Sequence, residues 1–272
     1  MILHERWGKI RRMRLSITSV GTWLTCRRRW QLEQQWEPPT VSTALVAGTL
    51  FHENLARRLR NEPPNFHSPL LDRCDKPDLA VAKAKAGLRV WEDQIGGELV
   101  EIEGWAEAEF NGFLWVGRLD ALVRLGDGLY IVDHKLTSNP RWEWYRTISD
   151  QLLFYAWLAT KAGYEDIVGG FWDIVMIPDL RRRSDESLED FENRLVDEAL
   201  RRGTPVVTIP CTFTPQDLAF IEEEMTLISE EIRSNKIFRN AQACASFPCP
   251  YQLICRSDDV AEALGFIRKP GS

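Results

Sequence analysis

The sequence predicts an α/β fold: a mixed five-stranded central β-sheet flanked by helices. Three observations predict it. Glu98–Phe110 alternates apolar and polar residues, and Asn111-Gly112 after it is a strong hairpin turn. A second hairpin follows at once, Phe113–Leu125 and Leu129–Leu136 around Gly126-Asp127-Gly128, so three strands form a meander. A helical stretch at Thr147–Lys161 then leads to an apolar run at Gly169–Ile177, and that strand, helix, strand order implies a crossover and a mixed sheet.

The elements follow in order. Residues 17–35 predict a first helix, with Thr18 or Ser19 as its cap, an apolar side through Val20, Trp23, Leu24, Trp30 and Leu32, and Pro38-Pro39 as its stop. Residues 48–60 place Phe51, Leu55 and Leu59 at i, i+4, i+8, which predicts a second helix. Residues 61–76 read as loop, and 77–95 as an Ala/Lys-rich helix. After the meander, Ser149 is the candidate cap of the Thr147–Lys161 helix. Residues 178–204 are highly charged and read as a partly helical insertion without a clear apolar stripe. Pro205–Phe213 predicts the fifth strand, and Thr214-Pro215 opens an amphipathic helix running to about Asn235.

Composition bounds the function. At 272 residues the chain sits near the upper size for one hydrophobic core, which predicts a single domain. It has no apolar run long enough to span a membrane and no apolar leader after Met1, so a cytoplasmic protein without structural disulfides is expected. The net charge of −6 argues against a general nucleic-acid coat. Residues 1–36 nevertheless hold eight Lys or Arg against two Glu. Arg27-Arg28-Arg29 and Arg181-Arg182-Arg183 are basic triplets able to contact phosphates; for the second, a solvated loop is the favoured reading.

Chemistry concentrates on the second hairpin. If Gly126-Asp127 are the central turn residues, Asp120 and Asp133 face each other with Cβ atoms ~4.5–5.5 Å apart. If the turn is Asp127-Gly128, Asp120 faces Lys135 instead. Either way Lys135 shares the face of Asp133, and His134 points the other way. Two adjacent carboxylates repel unless a cation lies between them, and hard oxygen ligands suit Mg²⁺ or Mn²⁺. An exposed ion-paired triad is an equal reading of the hairpin alone. His52 at the edge of an apolar stripe is, by itself, more often a packed side chain than a ligand. Gln151 and Tyr155 are i, i+4 neighbours on one helix face. Glu107 and Glu109 are further carboxylates on one face of the preceding strand, and the sequence does not say which face meets the metal.

Of six cysteines, three cluster as Cys244, Cys249 and Cys255, with spacing C-x₄-C-x₅-C. Three thiols in so short a stretch suggest a metal or cluster site. A fourth thiolate would come from Cys26, Cys74 or Cys211, and spacing does not choose among them.

Together these pieces resemble a known family. Gly117-Arg118-Leu119-Asp120 and Ile131-Val132-Asp133-His134-Lys135 look like the catalytic hairpin of the PD-(D/E)XK nuclease superfamily, in its RecB-like branch. Gly48-Thr49-Leu50-Phe51-His52 upstream and Gln151-Leu152-Leu153-Phe154-Tyr155 downstream match its flanking motifs. The resemblance implies that His52, Asp120, Asp133 and the backbone carbonyl of His134 ligate Mg²⁺ or Mn²⁺. It implies that Lys135 positions water or stabilises charge, and that Gln151 and Tyr155 orient the substrate. Thr22–Trp30 and Phe238–Cys255 resemble the cysteine segments of the CRISPR-associated RecB-like exonucleases and the AddB nuclease domain, which implies a [4Fe–4S] cluster on Cys26, Cys244, Cys249 and Cys255. Residues 1–47 and 236–272 would then form a cluster subdomain, with Arg27, Arg28 and Arg29 contacting DNA phosphates. The expected activity is a DNA exonuclease on single-stranded ends, with recombination or CRISPR-adaptation proteins as further partners. The alternative is a non-hydrolytic DNA-end-binding module; zinc in place of iron is a second.

Overall fold

In a computed structural model, the structure describes residues 13–139, 150–246 and 248–270. The first segment gives a short strand β1 (Arg14–Leu15), helices α1 (Ile17–Thr25) and α2 (Arg27–Gln35), and strand β2 (Trp36–Glu37). The single helix expected over 17–35 is therefore two. Cys26 breaks it in an extended conformation (φ −162°, ψ 109°), and the cap is Ser16, whose hydroxyl accepts from the Ser19 N–H. Next come α3 (Thr43–Leu59), capped by Ser42, and α4 (Pro77–Val90).

The meander forms as expected: β3 (Glu98–Phe110), β4 (Phe113–Leu125) and β5 (Gly128–Thr137). Asn111 and Gly112 both take positive φ, as a tight two-residue hairpin requires. Helix α5 (Gln151–Lys161) crosses to β6 (Ile167–Met176), which pairs parallel with β5. The proposed cap Ser149 and residues 147–149 lie outside the described residues. Helix α6 (Leu188–Arg201) occupies the charged stretch, and β7 (Val206–Thr212) pairs antiparallel with β6. Helix α7 (Pro215–Arg233) opens on a capping box between Thr214 and Asp217. A short helix α8 (Ala241–Ser246) and strand β8 (Ile267–Arg268) end the chain.

Two expectations need correction here. The sheet has six strands, because β1 adds to β4 in parallel, and two residues of chain are too few to announce a strand. The 178–204 stretch does have an apolar stripe: Phe191, Leu195, Val196 and Ala199 are buried at i, i+4, i+5, i+8. Its high charge lies on the opposite face and masked that period. The stripe packs with α3 and α4 against one face of the sheet, through Val175, Ile177 and Val206. Helices α5 and α7 cover the other face. A separate apolar cluster, Leu32, Trp36, Tyr251, Ile254, Ala261 and Phe266, joins α2 and β2 to the chain's end, where β2 and β8 also pair.

The topology leaves one opening. β3 pairs along β4 from Phe113 to Arg124. The other edge of β4 therefore carries both remaining partners, β1 at Leu114–Trp115 and β5 from Ala121 to Leu125. Between them, residues 116–120 have no ladder partner on that edge. The sheet splits there.

Candidate active site

The split holds the carboxylates. The β4–β5 register runs from Leu125 opposite Gly128 to Ala121 opposite Val132. Gly126-Asp127 is thus the turn, with Gly126 at φ 59°, a conformation glycine adopts without strain. The same register places Asp120 opposite Asp133, just past the last ladder pair. There the Asp120 carboxylate substitutes for a backbone acceptor: its Oδ2 accepts from the His134 N–H at 2.9 Å.

Each carboxylate is then held from a different layer. From α3, His52 Nδ1 lies 3.1 Å from Asp120 Oδ2. Lys135 Nζ lies 2.6 Å from Asp133 Oδ2. From α5, Gln151 Nε2 donates to Asp133 Oδ1 at 3.0 Å and to the Tyr155 hydroxyl at 3.1 Å. Helix α5 can approach this closely because β4 offers no side chain at Gly117, where a Cβ would sit 3.0 Å from Leu158 and 3.1 Å from the Tyr155 ring. The structure therefore brings together His52, Asp120, Asp133, Lys135, Gln151 and Tyr155.

The two carboxylates are electrostatically unlike. Burial pushes Asp120 up, but the charge and hydrogen bond of His52, with His134 and Lys135 behind them, outweigh it and hold Asp120 well below the usual range. At Asp133 burial dominates and raises the carboxyl; Lys135 opposes this and the Asp120 charge adds to it. Burial, and next the Asp133 charge, also push the Tyr155 hydroxyl far up, so it stays protonated. Asp133 Oδ2 is buried, and the Lys135 ammonium 2.6 Å away is its described partner; a cation could share that lone-pair site.

Behind the site lies a buried network that the sequence reading missed. As expected, the His134 side chain points away from the carboxylate pair. Asp173, on β6 directly beside His134 in register, accepts from His134 Nδ1 and from Trp91 Nε1, each at 2.7 Å. Thr208 Oγ1 donates to its other oxygen at 3.3 Å. Asp173 is 1% exposed. A single acid inside Phe171-Trp172-Asp173-Ile174-Val175 was the available signal, since a buried charge needs partners.

Arg118 was also missed, although it sits inside the motif. Its guanidinium lies 3.5 Å from Glu103, and its charge reaches Glu53 and Tyr155. Glu107, weighed from the sequence, is instead tied to Arg14 at 2.7 Å.

At the other end of the chain, Cys26, Cys244, Cys249 and Cys255 line one cavity of about 210 Å³ with Arg29, Leu32 and Ala243. Cys74 and Cys211 lie elsewhere. Burial raises the Cys249 and Cys255 thiols, and the other cysteines of the set add to the shift. Among the described residues, no three His, Cys, Asp or Glu side chains are gathered closely enough to hold a metal ion as they stand, at this cavity or at the carboxylate pair.

The first arginine triplet is already engaged. Arg27 pairs with Glu231 at 2.8 Å and stacks on Phe238. Arg28 donates to the Cys255 carbonyl at 3.0 Å and pairs with Asp258. Arg29 pairs with Glu33 at 2.8 Å. Arg27 and Arg28 tie α2 to α7 and to the chain's end, and Arg29 pairs within α2 beside the cysteine cavity.

A split mixed sheet with paired carboxylates and a lysine across the split is the architecture of a nuclease core. A model of the PD-(D/E)XK nuclease superfamily matches residues 14–256, and the chain belongs to that superfamily. Among solved structures, the chain is similar to a protein of Eubacterium rectale that bears the provisional name exonuclease, at 14% identity and a TM-score of 0.52, covering 100% of this chain and 96% of that one. It also aligns with the protein SSO0001 at 13% identity and a TM-score of 0.35, over 88% and 94% of the two chains. No curated protein matches it. No described helix is long and apolar enough to cross a membrane.

Proposed function

We propose that the chain is a Mg²⁺- or Mn²⁺-dependent deoxyribonuclease that hydrolyses single-stranded DNA from an end. The observation that carries this reading is the meeting of His52, Asp120, Asp133 and Lys135 at the one place where β4 and β5 part. The donor set fits a hard divalent cation: two carboxylates, an imidazole, and the backbone carbonyl of His134, the residue after Asp133. When bound, such an ion polarises a phosphoryl oxygen and makes its water a better nucleophile.

The protein's own groups do the rest. Lys135, freed from Asp133, holds a water or a developing phosphate charge at Nζ. Gln151 keeps Asp133 oriented through its 3.0 Å bond, and the protonated Tyr155 hydroxyl is a donor for a phosphate oxygen. His52 keeps Asp120 ionised.

The four cysteines of the 210 Å³ cavity would hold a [4Fe–4S] cluster joining residues 1–47 to 236–272. Four thiols around one cavity roomy enough for more than a bare ion support this part of the reading. Purified anaerobically, the protein would be brown, whereas a zinc–thiolate site would be colourless.

The test is digestion of end-labelled single- and double-stranded DNA with Mn²⁺, comparing the parent with Lys135→Ala and Asp120→Ala. Each substitution should lower cleavage by about 10²–10⁴-fold without unfolding the chain. Cleavage that survives both places the chemistry elsewhere. A parent that binds DNA ends without cutting them is a binding module, the alternative class.

A further inference from the structure

The second arginine triplet has the opposite fate to the first. Arg181, Arg182 and Arg183 are exposed and line a groove of about 690 Å³ with Lys76. None of the described ion pairs engages their guanidiniums. Glu186, whose carboxyl also feels the Arg183 charge, gives both its oxygens to Arg194, at 2.6 and 2.7 Å. The backbone of the triplet is nonetheless fixed: the Arg181 carbonyl accepts from Arg194 at 3.1 Å, and the Arg183 N–H donates to Glu186 at 3.0 Å. Two carboxylates also line the groove, Asp78 and Asp179. Asp179 is neutralised by Lys83 at 2.8 Å, so the lining keeps a positive excess. That excess stands out in a chain whose net charge is −6.

The groove's place follows from the sheet. β5 and β6 run parallel, and Lys135 pairs in register with Ile174. At the end of this pair, the Ile177 N–H donates to the Thr137 carbonyl at 2.9 Å. Arg181 follows four residues later, so its Cα lies within roughly 15 Å of the strand ends, given about 3.3–3.6 Å per extended residue. The triplet therefore begins within that reach of the carboxyl ends of β5 and β6, the ends toward which β5 carries Asp133 and then Lys135.

We propose that this groove is the track for the phosphate backbone of the DNA strand whose end is held at Asp120 and Asp133. Fixed backbone with guanidiniums outside the described ion pairs suits a repeating anion: no described salt bridge need break to bind it, and binding releases counterions. This rests on the nuclease reading above and adds to it the route by which a strand reaches the site.

The experiment uses the full chain in EDTA with fluorescent single-stranded oligonucleotides of graded length, and cleavage of the same oligonucleotides in Mn²⁺. Arg181→Ala, Arg182→Ala and Arg183→Ala together should weaken binding of the longer oligonucleotides about tenfold or more at 0.1 M salt. They should lower the slope of log affinity against log salt by about 2, roughly 0.7 per lost phosphate contact. Cleavage of oligonucleotides too short to leave the active site should be unchanged. The triple Arg→Lys variant, which keeps the charge, should retain the salt slope and controls for folding. A parent that binds and cleaves DNA, with a triple-Ala variant of equal affinity and slope, overturns the groove and leaves the nuclease standing. A parent that neither binds nor cleaves DNA overturns both.

Discussion

At the scale of single residues, the site depends on groups that never meet a substrate. His134 supplies two backbone groups to the split: an N–H that fixes Asp120 and, in the proposed function, a carbonyl that faces the metal. Its position is set by its ring, which Asp173 holds on the far side of the sheet. Asp173→Ala would strand Trp91 Nε1 and His134 Nδ1 in a buried setting, where each unsatisfied donor costs about 1–3 kcal/mol. The expected result is a loss of about 3 kcal/mol in denaturant unfolding. Weakened Mn²⁺-dependent cleavage should appear even where the variant is fully folded. Unchanged stability would mean that water replaces the carboxylate and that the network is not closed. Asp173 was legible in the sequence as the one acid in an apolar strand. Its partners were not, because Trp91 and Thr208 come from segments brought together only by the packing of α4 and β7 against β6.

At the scale of elements, periodicity was readable in the strands of the meander and in α3 and α7, but not in α6. The meander and the crossover follow from alternation and turn residues; the hairpin left two registers open, and the structure takes the one that puts Asp120 opposite Asp133. Three things escaped. The break at Cys26 has no glycine or proline to mark it. The stripe of α6 lies beneath a dense charged face. The two arginine triplets look alike in sequence, and only their surroundings separate a brace from a free cationic surface. The brace carries a pH prediction. Glu231 is held below its usual range by Trp23 and by Arg27, against a smaller effect of burial. Burial pushes Asp258 up, but backbone, Trp36 and Arg28 hydrogen bonds outweigh it and leave its carboxyl lowered. A depressed carboxylate stabilises the fold above its unfolded value, near 4, and loses that stabilisation as pH falls through its folded value. Below about pH 4, therefore, the Arg27–Glu231 and Arg28–Asp258 pairs of α2 weaken. Brief pepsin digestion across pH 5 to 2 should show residues after 233 cut before the α5–α7 layer opens. Simultaneous loss of both would make the brace part of the main cooperative unit.

At the scale of the whole molecule, the chain closes on itself. Trp23 and Trp30 belong to the core beneath α5 and α7, whereas Leu32 and Trp36 pack with Tyr251, Ile254 and Phe266 in a cluster of their own. The α1–α2 pair thus has a foot in each. The tail after α7 is held by that small cluster, the two-residue β2–β8 ladder, the cysteine cavity and polar contacts such as those of Arg28 and Asn240. So small an apolar cluster, with so short a ladder, is a weak anchor by itself. Structural thiolate sites contribute about 10–16 kcal/mol in small metal-dependent domains, enough to decide whether such a segment folds. With the proposed cluster, Cys255→Ser should abolish the visible absorbance and release the tail, while α1 stays on the nuclease core through Trp23. Limited proteolysis with mass spectrometry should recover a resistant fragment ending near Arg233. That fragment should keep its near-ultraviolet tryptophan signal from Trp115 and Trp157, which are buried in the main core. A tail equally protected in parent and variant would show that the apolar cluster suffices and that the cysteines hold nothing. Digestion of the whole chain at one rate would show instead that the tail and the nuclease core fold as one unit, so that the site at the split depends on chemistry at the opposite end of the chain.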